Sequence, residues 1–140
     1  MTLATAESCT GGMLGAMLTA VPGSSDVYKG GVVSYCNEVK HRLLGVPQEL
    51  LDRFGAVSWQ VAEAMAKGAA EVCAASAGVG ITGIAGPDSD GTGRPVGLVF
   101  VGYADRNGTL HRRLELHGSR EEIRRAACLA AISLIAEQNA

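Results

Sequence analysis

Residues 2–21 read TLATAESCTGGMLGAMLTAV, and this stretch sets the fold. Its first five residues are short and mostly apolar and predict a buried strand, and ESCTGG at 7–12 predicts a turn. The following segment, 13–21, is rich in Ala, Met and Leu and predicts a helix, which Pro22 and Gly23 end. A strand, a glycine turn and a helix in this order predict the start of a parallel crossover in an α/β domain.

The rest of the chain continues this alternation and then adds a hairpin. Asn107-Gly108 between two strand-like segments is a strong hairpin signal, and Ser119 with Glu122 forms a capping box in front of the last helix. We predict strands at 30–36, 79–84, 96–104 and 109–116, and helices at 38–44 (capped by Asn37), 48–53, 58–75 and 119–137. The expected architecture is three-layer α/β/α with a mixed, mostly parallel sheet of about five strands, in a single domain over residues 1–140.

Composition excludes several classes of function. The chain is 47% hydrophobic and 19% charged, which excludes intrinsic disorder. The net charge is −2 and only 4% of residues are aromatic, so we expect no nucleic-acid partner. No apolar run reaches about 18 residues, so we expect no membrane partner. Glycine is abundant, at 19 of 140 residues, which indicates that the backbone approaches something closely.

The four cysteines bear on metal binding and on the compartment. Cys9, Cys36, Cys73 and Cys128 have no CxxC or CxxH spacing, so no metal site is expected. No basic, apolar leader follows Met1. We therefore expect reduced thiols in a cytoplasmic protein.

The turn after the first strand carries the richest chemistry. Ser8 lies between a strand and a helix, where backbone N–H groups favour negative charge. An activated Ser8 hydroxyl could attack a carbonyl while N–H groups near Thr10, Gly11 and Gly12 hold the oxyanion. Two other interpretations stay open: Ser8 caps the helix while the glycines serve a tight turn, or Cys9 is the nucleophile.

A second polar segment follows the second predicted strand. If Asn37 caps the next helix, Lys40 is its third residue, and the positive end of the helix dipole would help to lower the pKa of Lys40. A lysine with a lowered pKa can act as a base, and Tyr35 lies at the same strand-to-helix junction. The alternatives are a solvated Lys40 with a half-buried Tyr35, or His41 as the base.

Two further segments indicate an anion site. The turn TGIAGPD, residues 82–88, follows a predicted strand, and backbone N–H groups near Gly83 and Gly86 could cradle an anion. Arg120 begins the last helix and could clamp a phosphate there. The alternatives are a plain loop at 82–88 and an exposed side chain at Arg120.

Six motifs in one order resemble a known family. They are ATAESCTGG (4–12), GVVSYCNEVK (31–40), LGV (44–46), GAVS (55–58), TGIAGP (82–87) and PVG (95–97). The resemblance extends over essentially the whole chain. It is to the CinA C-terminal domain, also known as the PncC family of nicotinamide-nucleotide amidases.

The resemblance implies a bacterial, cytoplasmic amidohydrolase of pyridine-nucleotide salvage with no metal and no cofactor. Its substrate would be a small-molecule nucleotide, nicotinamide mononucleotide, and its products nicotinate mononucleotide and ammonia. Carried over by motif, the nucleophile of an acyl-enzyme would be Ser8, the proton-transfer pair Tyr35 and Lys40, and the phosphate contact Arg120. The further oxyanion and substrate-binding candidates are Thr10, Gly11, Gly12, Asn37, Gly83 and Gly86. The alternative is a non-catalytic nucleotide-binding or competence-associated module.

The chain departs from the family pattern in four places. Cys36 stands where the family mostly has serine, Ser119 where it usually has aspartate, and DSDGT (88–92) where it usually has paired glycines. The family also generally has a helix before the first strand, whereas Met1 here lies almost at the strand. A sheet face without that helix would expose apolar surface, so we expect a homo-oligomer that covers it.

Overall fold

The computed structural model describes all 140 residues, which form five strands and five α-helices. The strands are β1 (Leu3–Glu7), β2 (Tyr28–Val33), β3 (Ala77–Gly83), β4 (Leu98–Asp105) and β5 (Gly108–Glu115). The helices are α1 (Met13–Thr19), α2 (Asn37–Leu44), α3 (Gln48–Phe54), α4 (Trp59–Val72) and α5 (Arg120–Gln138), and a 3-10 turn (Ser24–Asp26) precedes β2. None of the helices combines the length and the hydropathy that a membrane-spanning segment needs.

The strands form one mixed sheet in the order β2-β1-β3-β4-β5. β1 pairs in parallel with both β2 and β3, whereas β4 pairs antiparallel with β3 and with β5. Only β4 therefore runs against the other strands, which confirms the predicted α/β class with a mostly parallel sheet. The helix after β1 and the helices after β2 provide the parallel crossovers that the sequence predicts.

Apolar side chains divide the helices between the two faces of the sheet. On one face, α1 and α5 contribute Leu14 and Leu134 to a core that also contains Val79 and Val101. On the other face, α2, α3 and α4 pack around β1, and Met65 is fully buried there. The three layers thus follow from the alternation of side chains along the strands.

Glycines in the sheet let α4 lie unusually close to it. A Cβ atom on Gly78 would overlap the carbonyl oxygen of Ala66, and one on Gly102 would overlap that of Ala62. Since α4 contacts the sheet through its backbone at these points, any larger residue would push the helix away. This close approach accounts for part of the high glycine content.

Two local predictions are wrong, and three caps are confirmed. Asn37 does not cap α2, because the extended residue before the helix is Cys36, whose carbonyl already accepts from the Lys40 N–H. The hairpin is present, but its turn residues are 106 and 107, because Gly108 already pairs with Asp105. The caps at Ser58 and at Ser119 with Glu122, and the left-handed Gly45 that ends α2, are present as predicted.

The carboxyl ends of β1, β2 and β3 meet at one edge of the sheet. The turn after β1 contains Ser8, the segment after β2 contains Tyr35, and the loop after β3 contains Gly86. Ligand sites of open α/β sheets form at this edge, because the crossovers leave a crevice there. The fold thus brings three of the predicted site segments together.

Candidate active site

A buried serine and a buried lysine are in direct contact at this edge. Lys40 Nζ lies 3.0 Å from Ser8 Oγ. The same amine donates to the carbonyl oxygen of Ser34 at 2.8 Å and lies 3.5 Å from that of Tyr35. Lys40 is only 1% exposed, and Ser8 is buried. Lys40 is therefore not the solvated side chain of the alternative interpretation, and Ser8 does not cap α1, since no side chain bonds at its N-cap, Gly12.

Burial lowers the pKa of Lys40 from 10.5 to about 8. The charged ammonium loses its hydration inside the protein, and no carboxylate compensates it, so the neutral amine is favoured. The predicted position of Lys40 in α2 is wrong by one residue. Because α2 begins at Asn37, Lys40 is the fourth helical residue and not the third.

The Glu7 carboxylate occupies the N-terminus of α1. Its two oxygens accept from the N–H groups of Leu14 at 2.8 Å and Gly15 at 3.0 Å. Glu7 is only 2% exposed, and this pairing satisfies both its charge and the first turn of α1. The N–H groups of Leu14 and Gly15 are therefore not free for an oxyanion.

The turn after Ser8 is held in place by α5. Arg124 donates to the carbonyl oxygens of Cys9 at 3.1 Å and Thr10 at 3.0 Å. The N–H of Gly11 donates back to the Ser8 carbonyl at 3.1 Å. These bonds fix the turn in one conformation, which in turn fixes the Ser8 side chain.

Of the predicted oxyanion residues, none of Thr10, Gly11 and Gly12 lines the cavity in front of Ser8. Thr10 is fully buried, and its hydroxyl has no partner. The residue of this turn that does line the cavity is Cys9, whose N–H donates to no protein acceptor. The Ser8 N–H is occupied, since it donates to the Ile81 carbonyl at 2.9 Å.

The cavity in front of Ser8 has a volume of about 250 Å³. Its lining brings together seven of the predicted residues: Ser8, Tyr35, Asn37, Lys40, Gly83, Gly86 and Arg120. Two carboxylates, Asp88 and Asp90, also line it. Asp90 accepts from the Thr92 N–H at 3.0 Å and so also shapes its own loop.

The Tyr35 hydroxyl does not contact Ser8 or Lys40. Tyr35 is 61% exposed, and its hydroxyl accepts from Arg120 Nη2 at 3.3 Å. Arg120 Nη1 donates to the Gly86 carbonyl at 2.6 Å. The side chains of Tyr35 and Arg120 thus lie together at the mouth of the cavity, and only the main chain of Tyr35 approaches the lysine.

The alternative nucleophile and base are less well placed. Burial raises the pKa of the Cys9 thiol to about 11, which keeps it protonated and weakly nucleophilic. His41 Nδ1 bonds to the Val46 carbonyl at 2.8 Å, and His41 does not line the cavity. No group of three or more His, Cys, Asp or Glu side chains is placed to hold a metal ion.

Sequence reasoning missed three contributors to this site. The carbonyl of Ser34 binds the lysine, the carboxylate of Glu7 holds α1, and the guanidinium of Arg124 holds the turn. A backbone carbonyl leaves no signal in the sequence, because every residue has one. Glu7 could have been found, since a carboxylate is favourable near the N-terminus of a helix.

The family model of the CinA C-terminal domain matches residues 1–139. Among curated relatives, a CinA-like protein of Gemmatimonas aurantiaca is 54% identical over 131 residues, which are 93% of this chain and 31% of that protein. A CinA-like protein of Geobacter metallireducens is 46% identical over 132 residues, 94% of this chain and 32% of that protein. The chain thus spans about a third of the length of these relatives.

Solved structures of similar sequence have the same fold. The competence/damage inducible protein CihA from Agrobacterium tumefaciens is 42% identical, with a TM-score of 0.95 over 100% of this chain and 86% of that one. A competence-damaged protein (CinA) superfamily protein from Escherichia coli is 33% identical, with a TM-score of 0.95 over 99% of this chain and 80% of that one. The chain belongs to the CinA C-terminal domain family.

Proposed function

We propose that this chain is an amidohydrolase that converts nicotinamide mononucleotide into nicotinate mononucleotide and ammonia through a serine acyl-enzyme. The single observation that carries the proposal is the buried contact between Lys40 Nζ and Ser8 Oγ at 3.0 Å. A hydroxyl needs an adjacent base to become a nucleophile, and a lysine can be that base only when its pKa lies near the working pH. The family resemblance supplies the substrate.

The contacts of Lys40 suit a neutral amine. A neutral amine has two N–H groups and one lone pair, and the carbonyls of Ser34 and Tyr35 offer acceptors for both N–H groups. The lone pair is then left to accept the hydroxyl proton of Ser8. This arrangement keeps the base oriented toward the nucleophile before any substrate is bound.

Acylation follows from this geometry. Ser8 Oγ attacks the carboxamide carbon and forms a C–O bond while its proton passes to Lys40. The resulting ammonium of Lys40 gives a proton to the amide nitrogen, the C–N bond breaks, and ammonia leaves. Lys40 is neutral again, and the acyl group is an ester of Ser8.

Deacylation uses the same base a second time. Water attacks the ester carbon and gives a proton to Lys40, and Lys40 returns a proton to Ser8 Oγ as the ester bond breaks. The second proton of the water passes to solvent, and the acid product leaves as a carboxylate. In both halves the N–H of Cys9 serves the oxyanion, since Cys9 lines the cavity and its N–H has no protein acceptor.

The mouth of the cavity supports a phosphate contact. The Arg120 guanidinium bonds only to neutral oxygens, those of Gly86 and Tyr35, so its positive charge is not compensated by a carboxylate. A phosphate there would form a charge-assisted pair with Arg120. Asp88 and Asp90 oppose this attraction, so the proposal requires the phosphate to lie on the Arg120 side of the mouth.

Ammonia release from nicotinamide mononucleotide tests the proposal. We expect turnover by the wild type, loss of at least about 10³-fold in kcat for Ser8→Ala, and retained binding of the substrate to that variant by calorimetry. The control Ser25→Ala changes an exposed serine of the 3-10 turn and should leave turnover unchanged. Binding without turnover in the wild type would instead favour the non-catalytic nucleotide-binding or competence-associated module.

A further inference from the structure

A second cleft lies beside the candidate active site. It has a volume of about 450 Å³, within the size range of ligand pockets. The charged and aromatic residues that line it are Arg53, Arg94, Arg113, Phe54, Trp59 and Phe100. The cavity of Ser8 and this cleft share only the residue Val57, and the segment 88–95 lies between them, with Asp88 on one side and Arg94 on the other.

The cleft is positively charged within an acidic chain. Three arginines line it and no carboxylate does, although the net charge of the chain is −2. Arg53 and Arg94 form no ion pair, and Arg94 Nη2 donates to the Phe54 carbonyl at 2.6 Å. Arg113 pairs with Glu115 at 3.3 Å, but this pair is exposed and therefore weak. An anionic ligand can replace Glu115 as the partner of Arg113 at little cost in free energy.

Three of the six aromatic residues of the chain line this cleft. The chain has one Trp and two Phe, and all three line the cleft. One face of Trp59 stacks on His111 with ring centroids 4.8 Å apart, yet Trp59 remains 43% exposed. An exposed, rigidly held indole is a surface on which a planar ring can stack.

The N-terminus of α4 adds a third feature. Ser58, Trp59 and Gln60 line the cleft, and Ser58 Oγ accepts from the Val61 N–H. This leaves the N–H groups of residues 59 and 60 at the positive end of a 14-residue helix. The N-terminus of α4 and the arginines favour a negatively charged ligand, and the aromatic surface favours a ligand with a planar ring.

We propose that this cleft is a second binding site, for a nucleoside phosphate, separate from the cavity of Ser8. The base stacks on Trp59, and the phosphates bind the arginines and the first turn of α4. Three guanidinium groups suit a ligand with more than one phosphate better than a monophosphate, so the site favours a nucleoside diphosphate over the mononucleotide of the proposed reaction.

Fluorescence of the single tryptophan tests this site directly. ADP should quench Trp59 emission in a saturable way at low ionic strength, and adenosine alone should bind at least about 10-fold more weakly because it lacks the phosphates. The double variant Arg53→Gln with Arg113→Gln should weaken ADP binding at least about 10-fold. The matched control is Arg112→Gln, since Arg112 neighbours Arg113 on β5 but pairs with Glu137 of α5.

The active-site variants separate this proposal from the amidase proposal. ADP binding should be unchanged in Ser8→Ala and Arg120→Gln, whether or not the wild type releases ammonia. Calorimetry with Trp59→Phe should show weaker ADP binding in a variant whose circular dichroism is unaltered. Absence of saturable quenching up to millimolar ADP, equal binding of adenosine and ADP, or loss of binding in Arg120→Gln would each overturn the second site.

Discussion

The guanidinium of Arg120 donates to the hydroxyl of Tyr35 at 3.3 Å, across 85 residues of sequence. This bond joins the segment after β2 to the start of α5 over the mouth of the cavity. It also turns the Tyr35 hydroxyl away from Ser8, whose contact is with Lys40 instead. The side chains of Tyr35 and Lys40, which the family resemblance implies to be a proton-transfer pair, thus lie in different parts of the cavity.

Tyr35→Phe should therefore reduce kcat/KM for nicotinamide mononucleotide by less than about 10-fold, because the hydroxyl that is lost contacts Arg120 and not the nucleophile. Arg120→Gln should mainly raise KM, and should do so for the mononucleotide more than for its dephosphorylated nucleoside. Steady-state ammonia release with both substrates measures this. If Tyr35→Phe were as inactive as Ser8→Ala, the phenol would be the immediate base.

The pH dependence of activity should report the buried lysine. Only neutral Lys40 can take the Ser8 proton, so kcat/KM should rise with pH and level off above an apparent pKa near 8. Lys40→Met should remove this limb and most of kcat. Lys40→Arg should not restore either, since arginine stays protonated. Near wild-type turnover in Lys40→Arg would show that Lys40 acts only through its charge.

The same lysine should make stability depend on pH. Its pKa is about 8 in the folded protein and 10.5 as a free side chain, so the unfolded chain binds more protons between these values. The free energy of unfolding of the wild type, relative to Lys40→Met, should therefore increase as the pH rises from 8 to 10.5. Urea unfolding at several pH values measures the difference, and a decrease over this interval would contradict it.

Glu7→Gln should destabilise the fold by about 1–3 kcal/mol, because an amide cannot accept from both N–H groups that the buried carboxylate binds and it carries no charge for the helix end. The matched control is Glu49→Gln, an exposed glutamate in the first turn of α3 that has no such bonds. Urea unfolding of both variants measures the effect. Equal stability of the two would refute the role of Glu7 as the cap of α1.

Cys36→Ser should stabilise the protein by about 0.5–1 kcal/mol. Cys36 has the extended backbone of a helix cap but makes no side-chain cap bond, whereas a serine hydroxyl there can accept from the first turn of α2. Cys73→Ser, at the other end of a helix, is the control and should give no gain. A destabilised Cys36→Ser would mean that the thiol has a packing role at this position.

Self-association remains a prediction. Val27, just before edge strand β2, and Val33, its last residue, are 38% and 52% exposed, and one edge of β2 is unpaired. We expect light scattering at micromolar concentration to show a dimer or a larger species, and Val33→Glu to shift it toward monomer. A monomeric wild type would exclude the homo-oligomer.

Much of the fold could be predicted because its signals are local. Ser58 and Ser119 mark helix starts that depend only on the next three residues, and Asn107-Gly108 marks a hairpin that depends only on its two strands. Even Ser119, where the family usually has aspartate, fits this logic, because both residues can cap a helix. The error at Asn37 has a local cause too, since Cys36 already has the extended conformation that precedes the helix.

The sequence by itself determined the order of strands and helices, the mostly parallel sheet and the segments that meet at its carboxyl edge. Only the tertiary structure decided which side chains are in contact. It placed the Lys40 amine against Ser8 and Ser34, the Tyr35 hydroxyl against Arg120, and the Glu7 carboxylate at the N-terminus of α1. Helix periodicity and caps act over a few neighbouring residues, whereas these contacts join residues far apart in sequence. They depend on burial and on exact backbone placement, which arise only when the sheet and its helices are assembled.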